Sequence, residues 1–366
     1  MKEIKRNILL NPGPATTTDT VKYAQVMPDI CPREKEFGEL MHYICDELTG
    51  FVADKKDYAT VLFGGSGTAV VEAIISSVIG DGEVLIINNG AYGKRMCQIA
   101  DAYDINYSEF ISSGTEPIDI DEVIEIIKTN PNITHISVVH HETTTGLLND
   151  IESIGALCKK HSLDLIVDTV SSYAAIPIDM KKMNISFMAS TSNKNIQGMA
   201  GVGFVIANKE ALEKTKTIKP KNYYLNLYAQ YEYFIKTDQT RFTPPVQTLY
   251  ALKQAIKETK EEGVEQRYQR YSAAWNVLID GLENLGLKIL LKREHQSKLI
   301  TTIIDPENPN YDFEKMHDYL YDESFTIYPG KVQDTNTFRL ANIGAIDSTD
   351  INNFLLVLEK YLLSIK

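Results

Sequence analysis

The sequence predicts an α/β protein: a mostly parallel sheet with helices on both faces, joined to a smaller α+β C-terminal domain. Two observations predict it. From about residue 58 to 205, short β-rich runs alternate with stretches of helical period. After Pro244-Pro245 this rhythm stops, and a long polar helical stretch is followed by shorter strand and helix patterns.

In chain order, strands are expected at Tyr58–Phe63, Glu83–Asn88, His135–His140, Leu163–Asp168, Phe187–Ser190 and Val202–Ala207. Helical patterns at Thr68–Val78, Ile120–Thr129 and Ile151–His161 lie between several of them. A charge-rich helical stretch then runs from about Val246 to Leu285, with a break at Gly263. Patterns at Lys298–Ile304, Phe313–Tyr321, Thr337–Asn342 and Asp350–Leu363 complete the chain. The expected division is a segment 1–16 packing near the site, a large domain 17–255 and a small domain 256–366.

Composition narrows the partners. Of 366 residues, 43% are hydrophobic and 23% charged, as in ordinary soluble globular proteins. A net charge of −12 argues against nucleic acid and anionic membrane surfaces. It leaves room for an anionic small substrate, because local cations and helix N-termini override the global sign. Eight arginines are few enough that each one near a site has weight. Cys31, Cys45, Cys97 and Cys158 show no CxxC pair and no metal-ligand spacing, so no metal is expected and they read as reduced thiols of a cytoplasmic protein. In Met1–Pro14 the only apolar run is Ile8-Leu9-Leu10, too short for a signal peptide, and no later stretch suits a bilayer.

The chemistry gathers at expected strand ends, where open α/β sheets bind ligands. Asp168 closes one strand, and Lys194 lies just past the next, in Ser190-Thr191-Ser192-Asn193-Lys194-Asn195-Ile196-Gln197-Gly198. An acid and a lysine so placed suggest pyridoxal phosphate, with the lysine as its Schiff-base partner and the acid holding the pyridine nitrogen protonated. Gly64-Gly65-Ser66-Gly67-Thr68 precedes a helix and suits a phosphate, although it matches neither a Walker A loop nor GxGxxG. The threonines of His141-Glu142-Thr143-Thr144-Thr145-Gly146 can donate to a phenolate or phosphate, and Tyr92 can stack on a flat ring. Each has a plainer reading alone: a strand-to-helix turn, a cap at Asp168, a solvated Lys194, edge threonines, a packed tyrosine. Their convergence favours a site.

These motifs resemble the class V, fold type I, pyridoxal-phosphate aminotransferases. The resemblance is carried by Leu10-Asn11-Pro12-Gly13-Pro14, Gly65-Ser66-Gly67-Thr68, Asn89-Gly90-Ala91-Tyr92-Gly93-Lys94-Arg95-Met96 and Glu142-Thr143-Thr144-Thr145-Gly146. Asp168 with Ser171-Ser172, Asn193-Lys194, Arg241-Phe242-Thr243-Pro244-Pro245 and Phe338-Arg339-Leu340-Ala341-Asn342-Ile343-Gly344 extend it over nearly the whole chain. It implies that Lys194 carries the cofactor and shuttles the proton, that Asp168 pairs with the ring nitrogen, and that Tyr92 stacks on the ring. Ser66, Gly67 and Thr68, with Asn193, would hold the phosphate, and Thr144 would reach the phenolic oxygen. Thr243 would serve the partner subunit's cofactor, implying a homodimer with shared sites. Arg339 would receive the acid group of a substrate, and Arg33 is a second candidate.

Within the class, the resemblance is to members that move the amine of 2-aminoethylphosphonate to pyruvate, giving phosphonoacetaldehyde and L-alanine. Transfer between alanine or serine and glyoxylate or pyruvate, or from phosphoserine, is the alternative. Cysteine desulfuration is disfavoured because no cysteine follows Cys158. A non-catalytic protein on the same scaffold could lose Lys194, which this chain keeps.

Overall fold

The computed structural model describes residues 4–332 and 335–366. Its centre is a seven-stranded sheet of β1 (Tyr58–Gly64), β2 (Glu83–Asn88), β3 (Tyr107–Ile111), β4 (Ile133–Val139), β5 (Asp164–Asp168), β6 (Ile185–Thr191) and β7 (Val202–Asn208). The strand order is β1-β7-β6-β5-β4-β2-β3, and β7 alone runs antiparallel, against both β1 and β6. The carboxyl ends of the other six therefore share one edge.

Strand alternation sends neighbouring side chains to opposite cores. Leu85, Ile87, Ile136, Val138, Leu165 and Val167 join one core, which helix α1 (Lys35–Gly50) covers with Phe37, Leu40, Met41, Ile44 and Leu48. Val84, Ile86, Val139 and Ile166 join the other, under α2 (Gly67–Val78) and α3 (Ala91–Ala102). Helices α4 (Ile120–Thr129) and α5 (Ile151–His161) lie on the first face. Side chains such as Leu85 and Ile86 are fully buried, and each contributes about 1.5–3 kcal/mol by leaving water.

Beyond β7, α6 (Leu227–Thr237) precedes α7 (Val246–Glu262) and α8 (Val264–Asn284). The latter two are separated by Gly263 at φ 83°, the conformation that makes the expected break. A three-stranded antiparallel sheet of β8 (Ile300–Ile304), β9 (Tyr328–Val332) and β10 (Thr335–Ala341), in the order β8-β10-β9, packs with α8, α9 (Phe313–Asp322) and α10 (Ser348–Ser364). The chain start belongs to this body too: Ile8–Leu9 pairs in parallel with Phe325–Thr326, and Ile8 and Leu10 enter its core.

The expected α/β architecture with a smaller C-terminal body is present, and boundaries differ by a few residues. Five of these elements had no counterpart in the sequence reading: α1, α3, α6, the edge strand β3 and β9. Strand β3 exposes Glu109 and Ile111 and buries only Phe110, so it lacks the apolar run that marks the central strands. Among the described residues, no helix is long and apolar enough to cross a membrane.

Candidate active site

Five strand ends meet around one cavity of about 210 Å³. Asp168, the last residue of β5, lies beside Ala189 of β6 and Val139 of β4. One carboxylate oxygen accepts the Val170 N–H at 2.8 Å. Burial pushes this carboxyl up to about 6, while the positive charges of Lys194 and Arg95 pull it down and the negative charge of Glu142 adds to the rise.

Lys194 follows β6 on a loop tied down from several sides. Gln197 N–H donates to the Lys194 carbonyl at 2.9 Å, Asn195 donates to Ser171 O at 2.9 Å, and buried Arg267 donates to Asn195 O at 2.5 Å. The Lys194 amine donates to Pro12 O, and the chain start is pinned there by Ala15 N–H on Asn193 O at 3.0 Å. Gly13, at φ 135°, makes this approach possible, since a Cβ there would lie 2.5 Å from the amine. Burial pulls the Lys194 amine down to about 8, with Asp168 opposing and Arg339 assisting.

The turn Ser66-Gly67-Thr68 leads into α2, whose first N–H groups have no intrahelical acceptor. The Ser66 hydroxyl does not cap the helix and stays available. A Cβ on Gly67 would lie 2.8 Å from Val170, so this glycine lets the turn close against the Asp168 loop.

Tyr92 opens α3, a helix whose N-cap, Gly90, offers no side chain. A remote carboxylate caps it instead. Buried Glu142 accepts from Tyr92 N–H at 3.2 Å, from Thr144 N–H at 3.0 Å and from the Thr144 hydroxyl at 2.5 Å. A Cβ on Gly90 would fall 2.3 Å from the Glu142 carboxyl carbon, so the glycine is what admits the acid. Burial raises the Glu142 carboxyl and these hydrogen bonds hold it down.

The threonine triplet differs from expectation. Thr143, not Thr144, lines the cavity, and its buried hydroxyl has no hydrogen-bond partner. Thr144 turns to Glu142 and accepts the Ala91 N–H at 3.3 Å. His141 also lines the cavity. Its Nδ1 faces Ser171 O at 3.2 Å and its Nε2 faces Ser297 Oγ at 2.8 Å. A carbonyl only accepts, so Nδ1 carries the hydrogen and Ser297 donates to Nε2. Burial holds this imidazole neutral, at about 4.

Arg339, on β10, donates to Thr143 O at 3.2 Å and to Pro329 O at 3.3 Å, and stacks on Tyr328 at 4.8 Å. Its Nε is buried without a partner, and burial lowers its pKa. Asn193 lines the cavity, with its side-chain oxygen accepting from Thr191 at 3.0 Å. Two expected residues are elsewhere. Arg33 is exposed and donates to the Tyr233 hydroxyl at 3.0 Å and to Gln239. Thr243 is exposed, at a separate small pocket with Gly64, Tyr224 and Phe242.

Residues 19–324 match the family model described as aminotransferase class-V. The chain belongs to the class V aminotransferases. It is 39% identical over 355 residues to a 2-aminoethylphosphonate–pyruvate transaminase of Phocaeicola vulgatus, covering 95% of this chain and 97% of that one. It is 42% identical over 359 residues to a bifunctional phosphonoacetaldehyde hydrolase/aminoethylphosphonate transaminase of Clostridioides difficile, spanning 97% of this chain but only 56% of that protein. Among solved structures, an alanine–glyoxylate aminotransferase of Nostoc is similar with a TM-score of 0.91 at 25% identity, covering 99% of this chain and 96% of the other.

Class V membership makes the protein an aminotransferase with pyridoxal phosphate as its cofactor. The cavity fits that group. It offers an acid beside a lysine, an aromatic ring, a hydroxyl-bearing helix start, and an orphaned Thr143 hydroxyl in need of an acceptor or donor. Arg95, His141, Glu142 and Thr143 were missed as individual site residues. The signal that could have singled out Arg95 was its place one helical turn beyond Tyr92.

Proposed function

We propose that the chain transfers the amine of 2-aminoethylphosphonate to pyruvate, giving phosphonoacetaldehyde and L-alanine. The observation that carries this reading is near end-to-end identity of 39% to the Phocaeicola vulgatus transaminase of that name. The site's chemistry supports it. Arg339 reaches the cavity wall with an unpartnered Nε and, among the described residues, no carboxylate partner, which suits the acid end of an incoming substrate. A guanidinium fork takes phosphonate and carboxylate alike, so one residue serves both half-reactions.

Bound pyridoxal phosphate supplies an electron-withdrawing ring conjugated to the carbon that gains or loses the proton. The chain does the rest. Asp168 would offer its buried carboxylate to the ring nitrogen, and Tyr92, on the cavity wall, would pack against the ring. Ser66, Gly67 and Thr68 would bind the phosphate with free N–H groups and hydroxyls, Asn193 would assist, and the unpartnered Thr143 hydroxyl would be free to meet the cofactor. Lys194 would anchor the cofactor, and its amine would serve as the base that moves the proton. With its amine at about 8, about a tenth of it is unprotonated at pH 7, so it can act as a base without a large penalty.

The exposed Thr243 and Arg33 suit service to the cavity of a second copy, and we propose a homodimer with shared sites. Cytoplasmic residence is consistent with four cysteines that are all free. Likeness to the Nostoc enzyme favours an alanine–glyoxylate activity as the second reading. A coupled assay for alanine made from pyruvate, run across 2-aminoethylphosphonate, serine and phosphoserine, with alanine and glyoxylate in parallel, tests both. Alanine–glyoxylate transfer with no turnover of 2-aminoethylphosphonate would overturn the first reading.

A further inference from the structure

Arg95 lines the cavity. It follows Tyr92 by one helical turn, so its guanidinium lies over the tyrosine ring, 4.7 Å from the centroid. From there it reaches across to the neighbouring helix start, where Nη1 donates to the Thr68 hydroxyl at 3.4 Å. Arg6, Arg267, Arg270 and Arg293 all pair with carboxylates. Among the described residues Arg95 forms no ion pair, and neither does Arg339. Arg95 lines the cavity itself, whereas Arg339 reaches only its wall, through Thr143 O. Arg339 comes by way of Thr143 O and Tyr328, and Arg95 by way of Thr68.

We propose that Arg95 binds the phosphate of the cofactor, supplying the cation that the Ser66-Gly67-Thr68 turn lacks. This rests on reading the cavity as a pyridoxal-phosphate site. A guanidinium has five N–H donors, so the single weak donation to Thr68 leaves several free for a phosphoryl dianion. Such a dianion has two possible sources here, the cofactor's phosphate and the substrate's phosphonate. Contact with Thr68 at the helix start assigns Arg95 to the first, and the unpartnered Nε of Arg339 suits the second.

The test compares wild type, R95Q and R95K, freed of cofactor and titrated with pyridoxal phosphate or with pyridoxal, the same ring without its phosphate. Binding is read from the colour of the lysine-bound cofactor. The quantity compared is the ratio of the two dissociation constants, in which a general folding defect cancels. Loss of a charge-assisted contact is expected to weaken pyridoxal phosphate about 10- to 100-fold in R95Q, and to leave pyridoxal within about threefold. R95K is expected to fall between, keeping the charge and losing the fork. Equal losses for both ligands would overturn the proposal, placing Arg95 on the ring side through Tyr92 or Asp168. An unchanged ratio with a raised KM for 2-aminoethylphosphonate alone would also overturn it, in favour of the substrate's phosphonate. A wild-type protein that binds neither ligand would sink the cofactor reading itself, an outcome distinct from the other two.

Discussion

Replacing Asp168 with Asn is expected to stabilise the cofactor-free protein at pH 8. Burial lifts this carboxyl from 3.8 to about 6, a value that already contains the pull of Lys194 and Arg95. At about 1.4 kcal/mol per unit, keeping it ionised in the folded state costs about 3 kcal/mol. The sign follows from the raised value: the folded protein holds the proton more tightly than the unfolded chain. The stability this confers is complete below 3.8 and is lost as pH rises through about 6. Asn is neutral, keeps the shape and retains an oxygen for the Val170 N–H. D168N should therefore exceed wild type by about 3 kcal/mol at pH 8, and by about half of that near pH 5. Added pyridoxal phosphate should reverse the order, because it brings a partner that only the carboxylate can match. Thermal unfolding at one scan rate, at both pH values and with and without cofactor, measures all four differences. A gain that does not grow from pH 5 to pH 8, or an Asn variant that is less stable without cofactor, would refute the reasoning.

Three further outcomes follow from the hydrogen bonds around the cavity. Glu142→Gln leaves an amide NH₂ facing N–H groups that the carboxylate now accepts, so stability should fall by about 1–3 kcal/mol. Cofactor affinity should fall with it, since Tyr92 loses its anchor, and unchanged affinity would show that Glu142 does not position the ring. Thr143→Val should leave the cofactor-free melting temperature unchanged, because its hydroxyl has no partner, while weakening cofactor binding. Thr144→Val should lower the melting temperature, because its hydroxyl serves Glu142 and Ala91. Calorimetry and cofactor titration separate the two variants, and the opposite pattern would restore Thr144 to the site.

How much of this was legible in sequence depends on how local each signal is. The central strands declared themselves because Leu85-Ile86-Ile87 and Leu165-Ile166-Val167 are buried on both faces and read as unbroken apolar runs. Asp168 and Lys194 stood out because a strand end is visible as the place where such a run stops. Helix α1 was legible in principle, since Phe37, Leu40, Met41, Ile44 and Leu48 keep helical spacing. The threonine triplet was not. Three identical side chains in one turn differ only in the direction the backbone gives each, and that direction depends on Glu142, to which Thr144 donates.

Glu142 itself shows why the rest was hidden. Nothing in a Glu before three threonines says that it caps a helix fifty residues earlier, or that Gly90 is small to make room for it. Only the sheet order, which sets β4 next to β2, brings the two together. The same arrangement explains the electrostatics of the cavity. Glu142 and Asp168 are two buried acids that raise each other's cost of ionisation, and Lys194, Arg95 and Arg339 are cations drawn toward them without full pairing. A protein selected for stability alone would neutralise such a set. Its persistence in a −12 chain is understandable if the cavity's missing charges arrive with the ligand, a phosphate for the cations and a protonated ring for the acid.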